Sequence, residues 1–288
     1  GYGPEEVLGK TPYDLMPMKE ASRVARVFES ALTQKKPFAF VENACLHKSG
    51  RKVVLETSGV PFLDSNGNVC GFRGIDRDVT ERKRAEEEVQ ESFRKLQRTV
   101  EGTIQAIALT VETRDPYTAG HQRRVTQLAY AISREMGLPN DEIQRVRTAG
   151  LLHDLGKIFI PAEILSKPGQ LTEVEFAIIK SHPQAGYEIL KNIEFPWPIA
   201  DIVVQHHERL NGSGYPFGLK DEEIVMEARI LAVADIVEAM SSHRPYRPAL
   251  GLDKALREIA NNKSVLYDAD VVDACLKVFS AGVFKFDD

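Results

Sequence analysis

The spacing of apolar residues changes along this chain, and each change marks a different architecture. A stretch around Ala21 to Leu32 has helical spacing, and strand-like segments follow near Phe38 to His47 and Val53 to Phe62. Asp64-Ser65-Asn66-Gly67-Asn68 then gives a hairpin signal, because Asn-Gly accepts positive φ, before a last strand near Val69 to Asp76. Residues 1–80 are therefore expected to form a small α+β unit.

From Glu81 onward the chain is densely charged, while Val89, Phe93, Leu96, Val100, Ile104 and Ile107 recur three or four residues apart. That period predicts an amphipathic connecting helix over residues 81–101, able to pair as a short coiled coil. The alternative is a solvated spacer helix packed on its own domain.

Past residue 102 the pattern is helical throughout. Asp115-Pro116 has the form of a cap followed by proline at the first helical position. Val125, Leu128, Ala129, Ile132 and Met136 mark one helix face, and Gly137 offers its stop. Ile143, Val146 and Ala149 lead into Leu151-Leu152-His153-Asp154, and Thr172 to Glu175 spells a capping box. Asp270 and Asp273 suggest a similar cap for the last helix. Residues 102–288 thus read as an all-α domain, and the whole chain as multidomain.

With 288 residues the chain can bury two cores, and 43% hydrophobic with 27% charged residues is ordinary for a soluble globular protein. A net charge of -5 argues against binding DNA or nucleic acid in general, although a local basic patch could hold a small anion. Cys45, Cys70 and Cys275 are odd in number and form no CxxC, so each is expected to be a buried small hydrophobe in a reducing cytoplasm. No apolar run approaches the ~20 residues of a membrane span, and no signal peptide is evident. The chain opens on Gly1-Tyr2-Gly3-Pro4 without an initiator Met, which suggests an excised fragment of a larger, even membrane-anchored, parent.

The chemistry lies in a set of metal-ligand types: His121, His153-Asp154, His182, His206-His207 and Asp235. Imidazole and carboxylate suit borderline-hard divalent metals, and seven such groups exceed the needs of one ion. A pair of metals about 3.5–4 Å apart stabilises both oxygens of an in-line displacement at phosphorus. Lys157 follows Asp154 by three residues and could neutralise a phosphate oxygen. Adjacent histidines such as His206-His207 project about 100° apart on a helix, so they can share a site only at a helix edge or end. Asp235 falls in the apolar run Ile230 to Val237, where a carboxylate needs a cationic or hydrogen-bonding partner. Beyond it, Arg244 and Arg247 can fork onto phosphate oxygens, or else pair at the surface with acids such as Glu238. Tyr215 could stack a base, and His243 is read as exposed or supporting.

His121, His153-Asp154 and Asp235 resemble the H…HD…D pattern of the HD phosphohydrolase superfamily. His206-His207-Glu208 followed by Gly212-Ser213-Gly214-Tyr215-Pro216 resembles the HHE…GxGYP signature of its HD-GYP subfamily, bacterial cyclic di-GMP phosphodiesterases with an all-helical fold. The resemblance implies that Asp154 bridges two metals. His121, His153 and Asp235 would complete one shell, and His182, His206 and His207 the other. Iron or manganese is favoured, with zinc, nickel and cobalt also acceptable to such donors. Lys157 resembles the lysine on the substrate phosphate, Arg244 and Arg247 stand where the family places basic residues, and Gly214-Tyr215-Pro216 is a substrate-side or partner-docking loop. Family variants with a third metal carry a glutamate where this chain has Tyr117, so two ions are expected.

Residues 1 to about 82 resemble a PAS sensory domain lacking its first strands. The matching features are Lys48-Ser49-Gly50, the strand with Glu56-Thr57-Ser58, and the ending Asp76-Arg77-Asp78-Val79-Thr80. The expectation is a PAS-regulated enzyme that opens cyclic di-GMP to linear pGpG, with GMP as a further product. It would form a homodimer through the connecting helix, with a GGDEF-domain protein as a further partner. The alternatives are hydrolysis of another cyclic dinucleotide or nucleotide phosphoester, or a catalytically weak receptor that docks a partner.

Overall fold

The computed structural model describes residues 1–114, 120–242 and 249–286. Two compact units emerge, Gly1–Arg98 and Thr99–Asp288.

In the first unit, α1 (Pro4–Val7) and a 3-10 turn at Pro12–Leu15 precede α2 (Met18–Gln34). Strands β1 (Phe38–Leu46), β2 (Lys52–Leu63) and β3 (Val69–Asp78) form an antiparallel sheet in that order. The register pairs Ala44 with Val54 and Thr57 with Asp76. Gly67, at φ 77°, turns the second hairpin as its Asn-Gly step anticipates. Phe28 of α2 stacks on Phe38 at 4.6 Å and lies 5.9 Å from Phe72, so an aromatic cluster fixes the helix on the sheet. Thr80 caps the end of the sheet by accepting the Val54 N–H at 2.9 Å.

The helix α3 (Thr80–Glu112) begins in this unit and ends in the next. The charged run over residues 81–88 near its start includes Arg82, which pairs with Glu56 at 3.2 Å, and Lys83, which pairs with Glu42 at 2.6 Å. Val89, Phe93 and Leu96 remain exposed along it.

The second unit is helical: α4 (His121–Glu135), α5 (Asn140–Leu152), α6 (Ala162–Leu165), α7 (Glu173–Ile179), α8 (His182–Leu190), α9 (Ile199–Gln205), α10 (Met226–Ser241), α11 (Leu252–Asn261) and α12 (Ala269–Ser280). Helix α10 explains the arrangement. Ile230, Leu231, Val233, Ala234 and Val237 are buried around its circumference, so it needs apolar neighbours on several sides. Helices α4, α5, α9, α11 and α12 supply them, with Val125, Leu128 and Ile132 of α4 fully buried on the face that the sequence spacing marked. Gly137, at φ 72°, ends α4 as anticipated. No helix among the described residues is long and apolar enough to cross a membrane.

Some local expectations need correction. The cap of α12 is Asp268, whose side chain accepts the Asp270 and Val271 N–H groups at 3.0 and 3.2 Å. Asp270 lies inside the first turn, and Asp273 pairs with Lys263 at 2.5 Å. Of the three cysteines only Cys275 is buried, its thiol pushed up to about 12 by burial; Cys45 is half-buried and Cys70 exposed. Asp115-Pro116 lies outside the described residues. The capping box at Thr172 is present, with Glu175 accepting the Thr172 N–H at 2.7 Å.

Candidate metal centre

The metal-ligand residue types gather where helix ends converge on α10. His121 is the first residue of α4, after Gly120 at φ 75°. Glu112, the last residue of α3, accepts the N–H groups of Gly120 at 3.1 Å and Gln122 at 3.0 Å, satisfying donors of the first turn of α4. His153 follows α5, and Asp154 heads a 3-10 turn over Leu155–Phe159. His182 opens α8, His206 and His207 follow α9, and Asp235 lies within α10. The two adjacent histidines thus stand at a helix end, as their angular separation required.

Three imidazoles are fixed by one device. Nδ1 of His153 donates to the Gly150 carbonyl at 2.7 Å, that of His182 to Ile179 at 2.8 Å, and that of His206 to Val203 at 2.5 Å. Each carbonyl lies three residues earlier, in the last turn of a helix, where C=O groups lack intrahelical partners. A carbonyl only accepts, so Nδ1 carries the proton and Nε2 presents a lone pair.

Those lone pairs meet carboxylate oxygens. His121 Nε2 lies 3.3 Å from Asp235 Oδ1 and 3.7 Å from Asp154 Oδ2. His153 Nε2 is 3.5 Å from Asp154 Oδ2, whereas His182 Nε2 is 3.3 Å from Asp154 Oδ1. The two oxygens of Asp154 therefore face different histidines. His207 Nδ1 stands 3.9 Å from Asp235 Oδ2. Among the described residues, potential ligand atoms fall into three groups within 4.8 Å: His121, His153 and Asp235; His182, His206 and His207; His153, Asp154 and His206.

This arrangement fits divalent cations. His153 Nε2 is buried without a hydrogen-bond partner. The Nε2 atoms of His182 and His206 are 3.3 Å apart with both Nδ1 protons committed elsewhere, so two lone pairs oppose each other. Protonation would relieve the opposition, but burial works against it. Burial pushes His182 down to about 4, and burial with neighbouring imidazoles holds His206 and His207 well below the usual histidine range. A shared cation relieves the same opposition while the rings stay neutral, and nitrogen with carboxylate oxygen suits a borderline metal.

Burial pushes the carboxyls of Asp154 and Asp235 up, yet both are held well below the usual carboxylate range. For Asp154 the leading opposing influence is Lys157, whose Nζ lies 2.7 Å from Oδ2; for Asp235 it is the hydrogen bond with His121. With His182, His206 and His207 held neutral by burial, Lys157 is a standing cation beside Asp154.

Beside this cluster, the Tyr215 ring lies tilted against His207 at 4.7 Å between centroids, and Lys180 Nζ approaches the Tyr215 ring at 5.6 Å. Glu208 is buried and accepts the backbone N–H groups of Phe217 at 2.8 Å and Leu219 at 3.0 Å, which anchors the loop carrying Gly214, Tyr215 and Pro216. A Cβ on Gly214 would meet the Glu208 Cα at 2.4 Å, so glycine is needed for that close approach. Arg244, Arg247, His243 and Tyr117 lie outside the described residues.

Glu112 and Glu238 were not anticipated here. Glu238, weighed in the sequence only as a surface acid, is buried, hydrogen-bonded to His121 Nδ1, and accepts Arg124 Nε at 2.8 Å. Its signal was present in the sequence, since it follows Asp235 by three residues on one apolar helix. Glu112 offers no such signal, because its partners are backbone N–H groups.

The chain matches the family model of the HD domain over residues 105–271 and that of the PAS fold over residues 1–84. It is 42% identical over 177 residues to the cyclic di-GMP phosphodiesterase response regulator RpfG of Xanthomonas campestris pv. campestris, covering 61% of this chain and 47% of that protein. A cyclic di-GMP phosphodiesterase of Thermotoga maritima is 40% identical over 195 residues, covering 67% and 53%. The 3'3'-cGAMP-specific phosphodiesterase 3 of Vibrio cholerae is 35% identical over 181 residues, covering 63% and 39%. The chain spans about half the length, or less, of these curated relatives.

Proposed function

This chain belongs to the HD domain family, and from that premise we propose that it is a metal-dependent phosphodiesterase hydrolysing cyclic di-GMP to linear pGpG, with GMP as a further product. The observation that carries the reading is the inward convergence of the Nε2 lone pairs of His153, His182 and His206 around Asp154.

In this reading His121, His153 and Asp235 would hold one divalent ion, His182, His206 and His207 would hold a second, and Asp154 would be available to both. Iron or manganese is favoured, and zinc, nickel or cobalt would be accepted by the same donors. Bound there, the metals supply Lewis acidity and a nucleophile at neutral pH. The protein's own groups do the rest. The backbone-tethered imidazoles keep their rings aimed without reorganisation. The Lys157 ammonium leaves Asp154 for a non-bridging phosphate oxygen and balances charge that grows as the P–O3′ bond opens. Tyr215, beside His207, would supply an aromatic ring for contact with a guanine base. Arg244 and Arg247 grip the remaining phosphate. Net reaction consumes one water and yields a 5′-phosphate and a 3′-hydroxyl.

The PAS unit would regulate turnover through α3, in a cytoplasmic homodimer paired along that helix. The Gly214-Tyr215-Pro216 loop, substrate-side in this reading, would in the alternative receptor reading be a docking surface for a GGDEF-domain protein. A second substrate reading, 3'3'-cGAMP, is favoured by the 35% identity to an enzyme named for it. Incubation of manganese-loaded protein with each dinucleotide, followed by chromatography of the products, tests both. Linear pGpG from cyclic di-GMP is the expected result. Turnover of 3'3'-cGAMP alone would move the substrate assignment, and turnover of neither would refute the enzyme reading.

A further inference from the structure

Helices α4 and α10 meet through two pairs of polar residues, each pair three positions apart on its own helix: His121 with Arg124, and Asp235 with Glu238. Asp235 faces the Nε2 edge of His121 at 3.3 Å, and Glu238 Oε2 takes the Nδ1 edge. The other oxygen of Glu238 receives Arg124 Nε at 2.8 Å, Arg124 Nη2 at 2.7 Å and the Ser242 hydroxyl at 2.7 Å. Glu238 and His121 are both almost wholly buried. One oxygen of the carboxylate therefore engages Arg124 and Ser242 while the other engages the imidazole.

This differs from the other three tethered histidines. His153, His182 and His206 rest on neutral carbonyls, whereas His121 rests on a charged acceptor. Either acceptor selects the Nδ1–H tautomer, but a carboxylate also makes the opposite nitrogen a stronger donor to a cation. We propose that Glu238 is a positioning residue that fixes His121 in the Nδ1–H tautomer and strengthens its Nε2 as a ligand for the divalent cation shared with Asp235. The inference rests on the metal-centre reading above.

A purely structural role through the Arg124 ion pair is the competing explanation, and two variants separate them. Glu238→Gln keeps an oxygen for Nδ1–H but removes the charge, while Arg124→Gln breaks the ion pair and leaves the carboxylate on His121. Manganese(II) titration of metal-free protein, followed by the electron paramagnetic resonance signal of the free ion, should show at least a tenfold loss of affinity in Glu238→Gln. Arg124→Gln should stay within about threefold of the unaltered protein, on the same argument that the ligand's carboxylate partner is retained. Equal affinities of Glu238→Gln and the unaltered protein, or equal losses in the two variants, would overturn the proposal. If Glu238→Gln does not fold, the long-range ¹H–¹⁵N spectrum of unaltered, metal-free protein decides: a proton on His121 Nδ1 supports it, and a bare Nδ1 overturns it. Failure of the unaltered protein to bind manganese would instead strike the metal-centre reading, and the tautomer spectrum would still decide this one.

Discussion

A Cβ on Gly156 would lie 1.9 Å from the carbonyl oxygen of His182 and 2.6 Å from the Gly186 nitrogen. The turn after Asp154 is thus pressed directly onto the backbone of α8, and this contact holds His182 Nε2 3.3 Å from Asp154 Oδ1. Backbone atoms cannot swing aside as a flexible side chain would. Gly156→Ala should therefore destabilise the protein by about 3 kcal/mol or more, the upper part of the range for overpacking. Because α8 must move, bound metal per chain should fall as well. Urea denaturation and elemental analysis check the two effects; ordinary stability with full metal loading would mean that α8 can part from the turn without cost.

Gly102 provides the opposite case. It sits in the interior of α3, exposed, with no atom within 4 Å of an added Cβ. Gly102→Ala should stabilise the helix by about 0.5–1 kcal/mol, since alanine loses less backbone entropy there. A thermal melt should move upward in that variant and downward in Gly156→Ala.

Acid should unfold the metal-free protein earlier than its carboxylates alone would dictate. The buried His182 titrates at about 4 when folded and near the ordinary histidine value when unfolded. Between those values the unfolded chain binds the extra proton, so stability is full above about pH 6.5 and falls as pH drops toward 4. His206 and His207 are depressed in the same sense and steepen the loss. His182 alone corresponds to about 3 kcal/mol at the lower end of that window. Urea midpoints measured from pH 7.5 to 4.5, with and without saturating manganese, should fall with acid and show metal protection shrinking as its ligands protonate. A flat profile would contradict neutral burial of these rings.

Lys157 separates binding of metal from turnover. Its ammonium already engages Asp154 at 2.7 Å, so it competes with any cation that Asp154 serves. Lys157→Met should bind manganese at least as tightly as the unaltered protein, while kcat drops about a hundredfold through loss of charge stabilisation at phosphorus. A parallel loss of metal would show that Lys157 maintains the site rather than acting on the substrate.

These contrasts also explain what could be read in advance. Residues that bury an apolar stripe or carry their own turn chemistry announce themselves: Leu128 and Ile132 on α4, Asn66-Gly67 in the hairpin, Thr172 with Glu175 on α7. The HD domain residues were legible as motifs, because imidazole and carboxylate are few enough for their order to carry information. What stayed hidden depends on close approach between segments distant in the chain. Glu112 meets the first turn of α4 through backbone N–H groups, and Gly156 is demanded by a carbonyl 26 residues later. Neither partner leaves a mark on local periodicity. Asp270 misled for the related reason that a cap is chosen by where the backbone turns, and that turn occurs at Asp268.

The apolar stripe on α3 leads to the last expectation. Val89, Phe93 and Leu96 are 68%, 58% and 61% exposed, on the charge-rich first half of α3. Exposed residues at spacings of four and three form the seam that a coiled coil buries, and burying such side chains contributes about 1.5–3 kcal/mol each. A second copy of α3 in parallel register satisfies all three at once, which a scattered set of unrelated contacts would not. Leu96→Glu places a charge within that seam, where like charges from both copies would face each other. The unaltered protein should therefore elute as a dimer with light-scattering detection at micromolar concentration, and Leu96→Glu as a monomer. Glu91→Gln, a change off the seam, should leave the dimer intact. An unaltered protein that is monomeric at every concentration tested would remove the seam from the proposed route of PAS regulation, and leave the metal centre's chemistry untouched.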